Sequence, residues 1–328
     1  MLGKMMAANP PTADMDTAML MRAIMTEMTR VAYPRPIPPK AFIEEITFQG
    51  DDYTQDGDKR ELTLLLNRPT YTKFSKENPS PALMYIHGGG AIALDARYAD
   101  ECCQRWADES GIVVFNLEYR LAPETPAPGG IMDCYAGLKY ILANAEKYGV
   151  DPNRVTFSGE SGGGYLSMAL GMELSKRGES DLVPFIMGSA TMVGGMLWEM
   201  TEEDFAKGYD DPHGMQFILG GIVNALAGVA SGTPYEQIKD RVDVFVTNMP
   251  EEILKNFPPT VLWTSEYDNC RWGTEVMAQL LEKHGKLLDY IVHPGTEHCW
   301  YFADVFGRSP STQKFWDDNV TVLKKYLN

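Results

Sequence analysis

The chain has 328 residues, of which 44% are hydrophobic and 23% charged, and a formal net charge of −16. Its length exceeds the ~250–300 residues at which a single core stops growing, so one large domain with an added cap, or two domains, is expected. The acidic balance argues against nucleic acid and anionic membrane surfaces as partners, because both repel it.

The N-terminus reads Met-Leu-Gly-Lys and lacks the apolar run and small-residue cleavage site of a secretory leader. No stretch reaches the ~18 apolar residues of a membrane span. The nearest, 217–230, is short and interrupted by Asn224 and glycines. Five cysteines, an odd number with Cys102 and Cys103 adjacent, fit reduced thiols better than a disulfide framework or a zinc site. A cytoplasmic protein with no stable membrane insertion is expected, and a homodimer is left open.

Residues 1–40 read as an N-terminal helical segment contributing to a cap. Met21, Ile24, Met25 and Met28 share one helical face, and Pro34, Pro36, Pro38 and Pro39 then make a stiff linker. Strand patterns follow at 42–49 and 60–67, separated by a polar Asp/Gly stretch. Short apolar runs then recur at 82–86, 112–117, 154–158, 184–189, 260–264 and 288–292. Helical patterns lie between most of them, at 96–110, 130–148, 162–177 and 272–285. Strands alternating with helices predict an α/β fold with a mostly parallel central sheet and helices on both faces. Between residues 191 and 259 that rhythm stops. Trp198, Met200, Phe205 and a Gly-rich apolar run at 220–230 occupy the interval. The expected organisation is a core at 41–190 and 258–328, with a mainly helical cap inserted at 191–257.

The sharpest motif is Gly159-Glu160-Ser161-Gly162-Gly163, placed after an apolar strand and before a helical pattern. That is the context of a nucleophile elbow, in which serine sits on a tight strand-to-helix turn. Side chains two residues to either side would crowd the turn, hence the glycines. The helix N-terminus adds positive dipole where negative charge develops. His87-Gly88-Gly89-Gly90 follows the strand at 82–86. Consecutive glycines let backbone N–H groups approach a substrate oxygen, which suits an oxyanion hole. The loop lacks the Lys-Ser/Thr of a P-loop.

Together these motifs resemble the hormone-sensitive-lipase-like family of α/β-hydrolase esterases, the bacterial family IV type. Tyr119-Arg120-Leu121-Ala122-Pro123-Glu124 strengthens the match, since the family carries that hexapeptide after the same strand. The resemblance covers roughly residues 80–303 and implies an α/β-hydrolase fold and carboxylesterase activity on short-to-medium acyl esters. It also implies oxyanion donors at Gly89, Gly90 and Gly162, with His87, Gly88 and Glu160 shaping the loop.

Serine needs a base. Of His87, His213, His284, His293 and His298, the last lies on the loop after the final strand, where the order Ser…Asp/Glu…His requires it. His293 is the second choice. The acid follows from the resemblance, which places an aspartate after the strand at 260–264, matching Asp268. Glu266 is the alternative and reads instead as a loop tether. The expected triad is Ser161, His298 and Asp268, forming an acyl-enzyme on a small-molecule ester without cofactor or metal. The same site suits amides, lactones or acyl transfer. An alternative of another class is a ligand-binding protein similar to plant hormone receptors derived from the family, which lack the histidine.

Departures from the family pattern sit beside the triad. Glu160 and Gly162 stand where Asp and Ala are common, Asn269-Cys270 replaces Pro-Leu, and Cys299-Trp300 replaces Gly-Phe. Cys270 and Cys299 flank acid and base, with simple buried thiols expected rather than a redox disulfide.

Overall fold

The computed structural model describes residues 19–20, 22–27, 43–189, 237–238, 240–268, 270–303 and 309–327. The proline linker, Met21, Met28, His213 and most of the expected cap lie outside these residues. Eight strands are described: β1 Glu44–Gln49, β2 Glu61–Asn67, β3 Ser80–Ile86, β4 Val113–Glu118, β5 Val150–Gly159, β6 Ile186–Gly188, β7 Thr260–Ser265 and β8 Leu287–His293. The first five form a sheet in the order β1-β2-β4-β3-β5, and the last three run β6-β7-β8. Contacts between Ser189 N and Gly159 O at 3.3 Å, and between Thr156 Oγ1 and Phe185 O at 2.6 Å, set β6 beside β5.

The β1–β2 and β2–β4 pairs are antiparallel, whereas β3–β4, β3–β5, β6–β7 and β7–β8 are parallel. Parallel strands buried on both faces read as continuous apolar runs. Every residue of β3 is buried, and its side chains alternate between two cores. Ala82, Met84 and Ile86 join Phe115, Leu117, Leu138, Tyr165 and Leu166 on one face. Leu83 and Tyr85 join Trp106, Val114, Trp263, Phe315 and Trp316 on the other.

The long helices are α1 Asp100–Ser110, α2 Gly129–Ala143, α3 Gly162–Arg177, α4 Arg271–Lys283 and α5 Pro310–Leu327. The first four fall where the sequence pattern places helices, with α2 broken before a short helix at Ala145–Tyr148. Helix α5 is an addition to the sequence reading, although its buried Thr312, Phe315, Trp316, Asn319, Leu323 and Leu327 follow a helical period. Burying Phe315 alone is worth about 3 kcal/mol of gross transfer free energy. Its ring stacks on Tyr301 at 4.1 Å, tying α5 to the loop that bears His298. Among the described residues, no helix is long and apolar enough to cross a membrane.

Candidate active site

Strand β5 delivers Ser161 to the N-terminus of α3 with φ 55° and ψ −123°. A non-glycine residue in this left-handed region is strained by on the order of 1–3 kcal/mol, so the surroundings must hold it. They do so through Gly163 N to Glu160 O at 2.8 Å, Tyr165 N to Ser161 O at 3.1 Å and Ser161 N to Ser189 Oγ at 3.4 Å. The flanking glycines are spatial necessities. A Cβ on Gly159 would lie 2.5 Å from the Gly163 carbonyl, and one on Gly163 would lie 1.9 Å from Ile86 O.

The loop after β3 folds over this turn. Gly89 has φ 100°, and a Cβ there would come within 2.0 Å of Ala93 O, so only glycine fits. Ile92 N and Ala93 N both donate to Gly89 O, at 3.1 and 3.0 Å, closing the loop on itself. A Cβ on Gly162 would lie 2.6 Å from the backbone nitrogens of Gly90 and Ala91. The backbone donors of Gly90, Ala91 and Gly162 therefore crowd together beside Ser161. Ala91 N, outside the residues that the motif reading named, stands as close to Gly162 as Gly90 N does.

Glu160 holds this loop against the elbow. Its Oε1 accepts from Gly88 N at 2.8 Å, and its Oε2 accepts from the Tyr85 hydroxyl at 2.5 Å. Burial pushes its carboxyl up to about 7, while Tyr85 and the backbone donors pull the other way. Burial also pushes His87 down to about 4, so its ring is neutral at pH 7 and donates from Nδ1 to Gly88 O at 2.8 Å. His87, Gly88 and Glu160 are thus linked by hydrogen bonds at the base of the glycine loop.

The hexapeptide is the outer brace of the same loop. Tyr119 stacks on His87 at 4.3 Å, and its hydroxyl donates to His87 O at 2.9 Å. Arg120 reaches the fully buried Asp133, which also accepts from Arg60 Nε at 2.7 Å. Ala122 N donates to Ala91 O at 2.9 Å. Arg22, on a helical segment spanning residues 22–27, donates to Ile92 O at 2.5 Å and Ala122 O at 2.7 Å, and pairs with both carboxylate oxygens of Glu124. Its guanidinium thus joins the N-terminal segment to the glycine loop. Nothing in the local sequence marks Arg22, because its partners are 70 to 102 residues away.

Ser161, His298 and Asp268 come from three separate loops and meet in one line. Ser161 Oγ lies 3.0 Å from His298 Nε2, and His298 Nδ1 lies 3.0 Å from both Asp268 oxygens. Burial would lower the His298 basicity, but the Asp268 carboxylate beside it prevails and holds the imidazole well above its ordinary value. Asp268 is 4% exposed, and although burial opposes ionisation, the His298 ring and the Cys270 N–H at 2.7 Å hold its carboxyl below the usual range.

His293 is buried against Trp300 and Phe315, and its Nδ1 lies 3.8 Å from Asp318. Glu266 accepts from Gly295 N at 2.7 Å, tying the acid loop to the base loop as its tether reading anticipates. Cys270 and Cys299 are in no disulfide, yet both stand at the triad. Cys299 itself has φ 54°, a second left-handed position beside the reacting groups.

A family model described as "alpha/beta hydrolase fold" matches residues 83–302. Versiconal hemiacetal acetate esterase from Dothistroma septosporum is 28% identical over 236 residues, 70% of each chain. Carboxylesterase NlhH from Mycobacterium tuberculosis is 27% identical over 250 residues, 76% of this chain and 74% of that protein. A solved bacterial heroin esterase superposes with a TM-score of 0.75 at 26% identity, over 98% of this chain and 96% of that one.

Proposed function

The chain belongs to the α/β-hydrolase family, in its hormone-sensitive-lipase-like branch, and from that premise we propose that it is a carboxylesterase cleaving short-to-medium acyl esters with Ser161 as nucleophile. The observation that carries this reading is the unbroken relay of 3.0 Å contacts from Ser161 Oγ through His298 to Asp268.

His298 Nε2 accepts the hydroxyl proton as Ser161 Oγ attacks the ester carbonyl. The carbonyl oxygen becomes an oxyanion, which the N–H groups of Gly89, Gly90 and Gly162 receive. Asp268 stays ionised and accepts a hydrogen bond from Nδ1–H, which fixes the tautomer and stabilises the imidazolium. His298 then protonates the departing alkoxide, leaving an acyl group on Ser161. A water then gives a proton to Nε2 as its oxygen attacks the acyl carbon, and Nε2 returns that proton to Ser161 Oγ as the Oγ–acyl bond breaks and the carboxylic acid leaves. The frame of Glu160, Tyr119 and Arg22 keeps the donors in place before the charge forms. We infer a reducing compartment, the cytoplasm, from free thiols beside the reacting groups, where oxidation would intervene.

The test is a chain-length series of activated esters with Ser161→Ala as control. The rate should peak at short-to-medium acyl chains. Ser161→Ala should lower kcat by about 10⁴–10⁶-fold and lose covalent labelling by a fluorophosphonate. Retained labelling or turnover in that folded variant overturns the assignment.

A further inference from the structure

The acid and base loops bring together more than the triad needs. A carboxylate oxygen of Asp268, Sγ of Cys270 and a ring nitrogen of His298 all lie within 4.8 Å of one another. Two of these donors share one short loop, where the Cys270 N–H to Asp268 Oδ1 contact at 2.7 Å fixes their spacing. The third is Nδ1 of His298, 3.0 Å from the same carboxylate. Cys299 follows His298 in the chain and its buried thiol stands in electrostatic contact with that ring, so a second sulfur borders the group. Ester hydrolysis uses neither thiol.

We propose that Asp268, Cys270 and His298 form a site for a thiophilic divalent cation of the zinc(II) class, and that its occupation switches the hydrolase off. Sulfur, nitrogen and oxygen are the donor set that zinc takes, at about 2.0–2.3 Å in tetrahedral geometry. Donors in such a site stand about 3.5 Å apart, so these three draw together by roughly 1 Å, with water in the fourth position. One proton leaves the Cys270 sulfur for solvent as the metal–sulfur bond forms. The thiolate and carboxylate then balance the two positive charges, so no net charge is buried. Magnesium and calcium prefer oxygen donors and do not use the sulfur.

The inhibition follows from the tautomer. Neutral His298 carries one proton, which sits on Nδ1 toward Asp268 when the ring serves Ser161. A metal on Nδ1 moves that proton to Nε2. Nε2 then donates to Ser161 Oγ and can no longer accept its proton. This consequence rests on His298 being the base; metal binding itself does not.

The experiment titrates purified protein with zinc(II), scoring each variant against its own metal-free rate, and separately follows cobalt(II) binding by its thiolate charge-transfer absorption. In the native chain, zinc should lower turnover more than tenfold, a chelator should restore it, and magnesium should do nothing. Cys270→Ala and Cys270→Ser should each need at least ~10-fold more zinc for the same loss. The cobalt band should appear in the native chain and in Ser161→Ala, which reports binding without activity, and vanish in Cys270→Ala. A cobalt band that survives Cys270→Ala, or equal zinc sensitivity of native and Cys270→Ala proteins, overturns the site. A cobalt band with no loss of turnover overturns the inhibitory role. Loss of turnover in Ser161→Ala bears only on the esterase reading.

Discussion

Replacing Gly162 by alanine installs the residue that related esterases commonly carry after the nucleophile, yet here it should slow the enzyme. The added Cβ would lie 2.6 Å from the nitrogens of Gly90 and Ala91 and 2.8 Å from Gly90 Cα, where ordinary contact begins at 3.4 Å. These are backbone atoms, so no side chain can swing away. The glycine loop must retreat by about 0.8 Å, which stretches a donor from ~2.9 Å to ~3.7 Å from the oxyanion, beyond hydrogen-bond range. Losing one oxyanion donor costs about 2.7–4 kcal/mol of transition-state stabilisation. The expected result is a fall in kcat of about 10²–10³-fold, with KM within about threefold, because the donors act on charge present only in the transition state. Steady-state kinetics on a short activated ester measure this. The rate of fluorophosphonate inactivation should fall in parallel, since the phosphoryl oxygen uses the same donors. The unfolding midpoint should move little, as helix propensity gained by alanine offsets part of the steric cost. A folded Gly162→Ala enzyme with native kcat refutes the claim that close approach at Gly162 positions the oxyanion loop.

Three further outcomes follow from the frame around the site. Glu160 is protonated more readily in the folded chain, at about 7 against an ordinary 4.5, so the native state holds the extra proton between those values and stability falls as pH rises through that window. Its contribution is of order 3 kcal/mol, and Glu160→Gln, which keeps an acceptor for Gly88 N, should flatten the slope in urea melts at pH 4.5–7.5; an unchanged slope removes Glu160 as its source. Arg22→Ala strips charged hydrogen bonds from Ile92 O and Ala122 O and should lower kcat/KM about tenfold, with Arg22→Glu/Glu124→Arg recovering part of it. An Arg22→Ala enzyme with native kcat/KM shows that the N-terminal segment does not brace the loop. Asp133→Ala leaves Arg60 and Arg120 without their buried partner and should cost about 3–5 kcal/mol in chemical denaturation. A loss under 1 kcal/mol would mean that Asp56 and Asp58 carry the two guanidinium groups instead.

Much of the site is legible because its chemistry is local in the chain. Gly159, Ser161 and Gly163 must be neighbours to make one tight turn, and Gly88, Gly89 and Gly90 must be consecutive to expose consecutive N–H groups. His298 stands out among five histidines because a base in this chain order would follow the last strand, and its ring does lie between Ser161 and Asp268. Asp268 could not be derived from residue pattern alone, since several carboxylates cluster nearby, and the family resemblance supplied it. Glu266 was separable from it on proximity to the strand, and its contact with Gly295 N bears out the tether reading. Helix α5 went unread because its apolar positions are spread among charged residues, so its weight as a lid over the second core emerges only when Phe315 meets Tyr301.

By itself the sequence determined the α/β class, the order of strands and helices, the elbow and the glycine loop. Each of these depends on periodicity or on residues adjacent in the chain, where steric and hydrogen-bonding rules act over a few bonds. Only the tertiary structure decided what stands behind the motif. Arg22 grips a loop 70 residues away, Asp133 joins Arg60 to Arg120, and Cys270 lies against both Asp268 and His298. Such contacts are made by packing separate segments around one sheet, and no spacing along the chain encodes them.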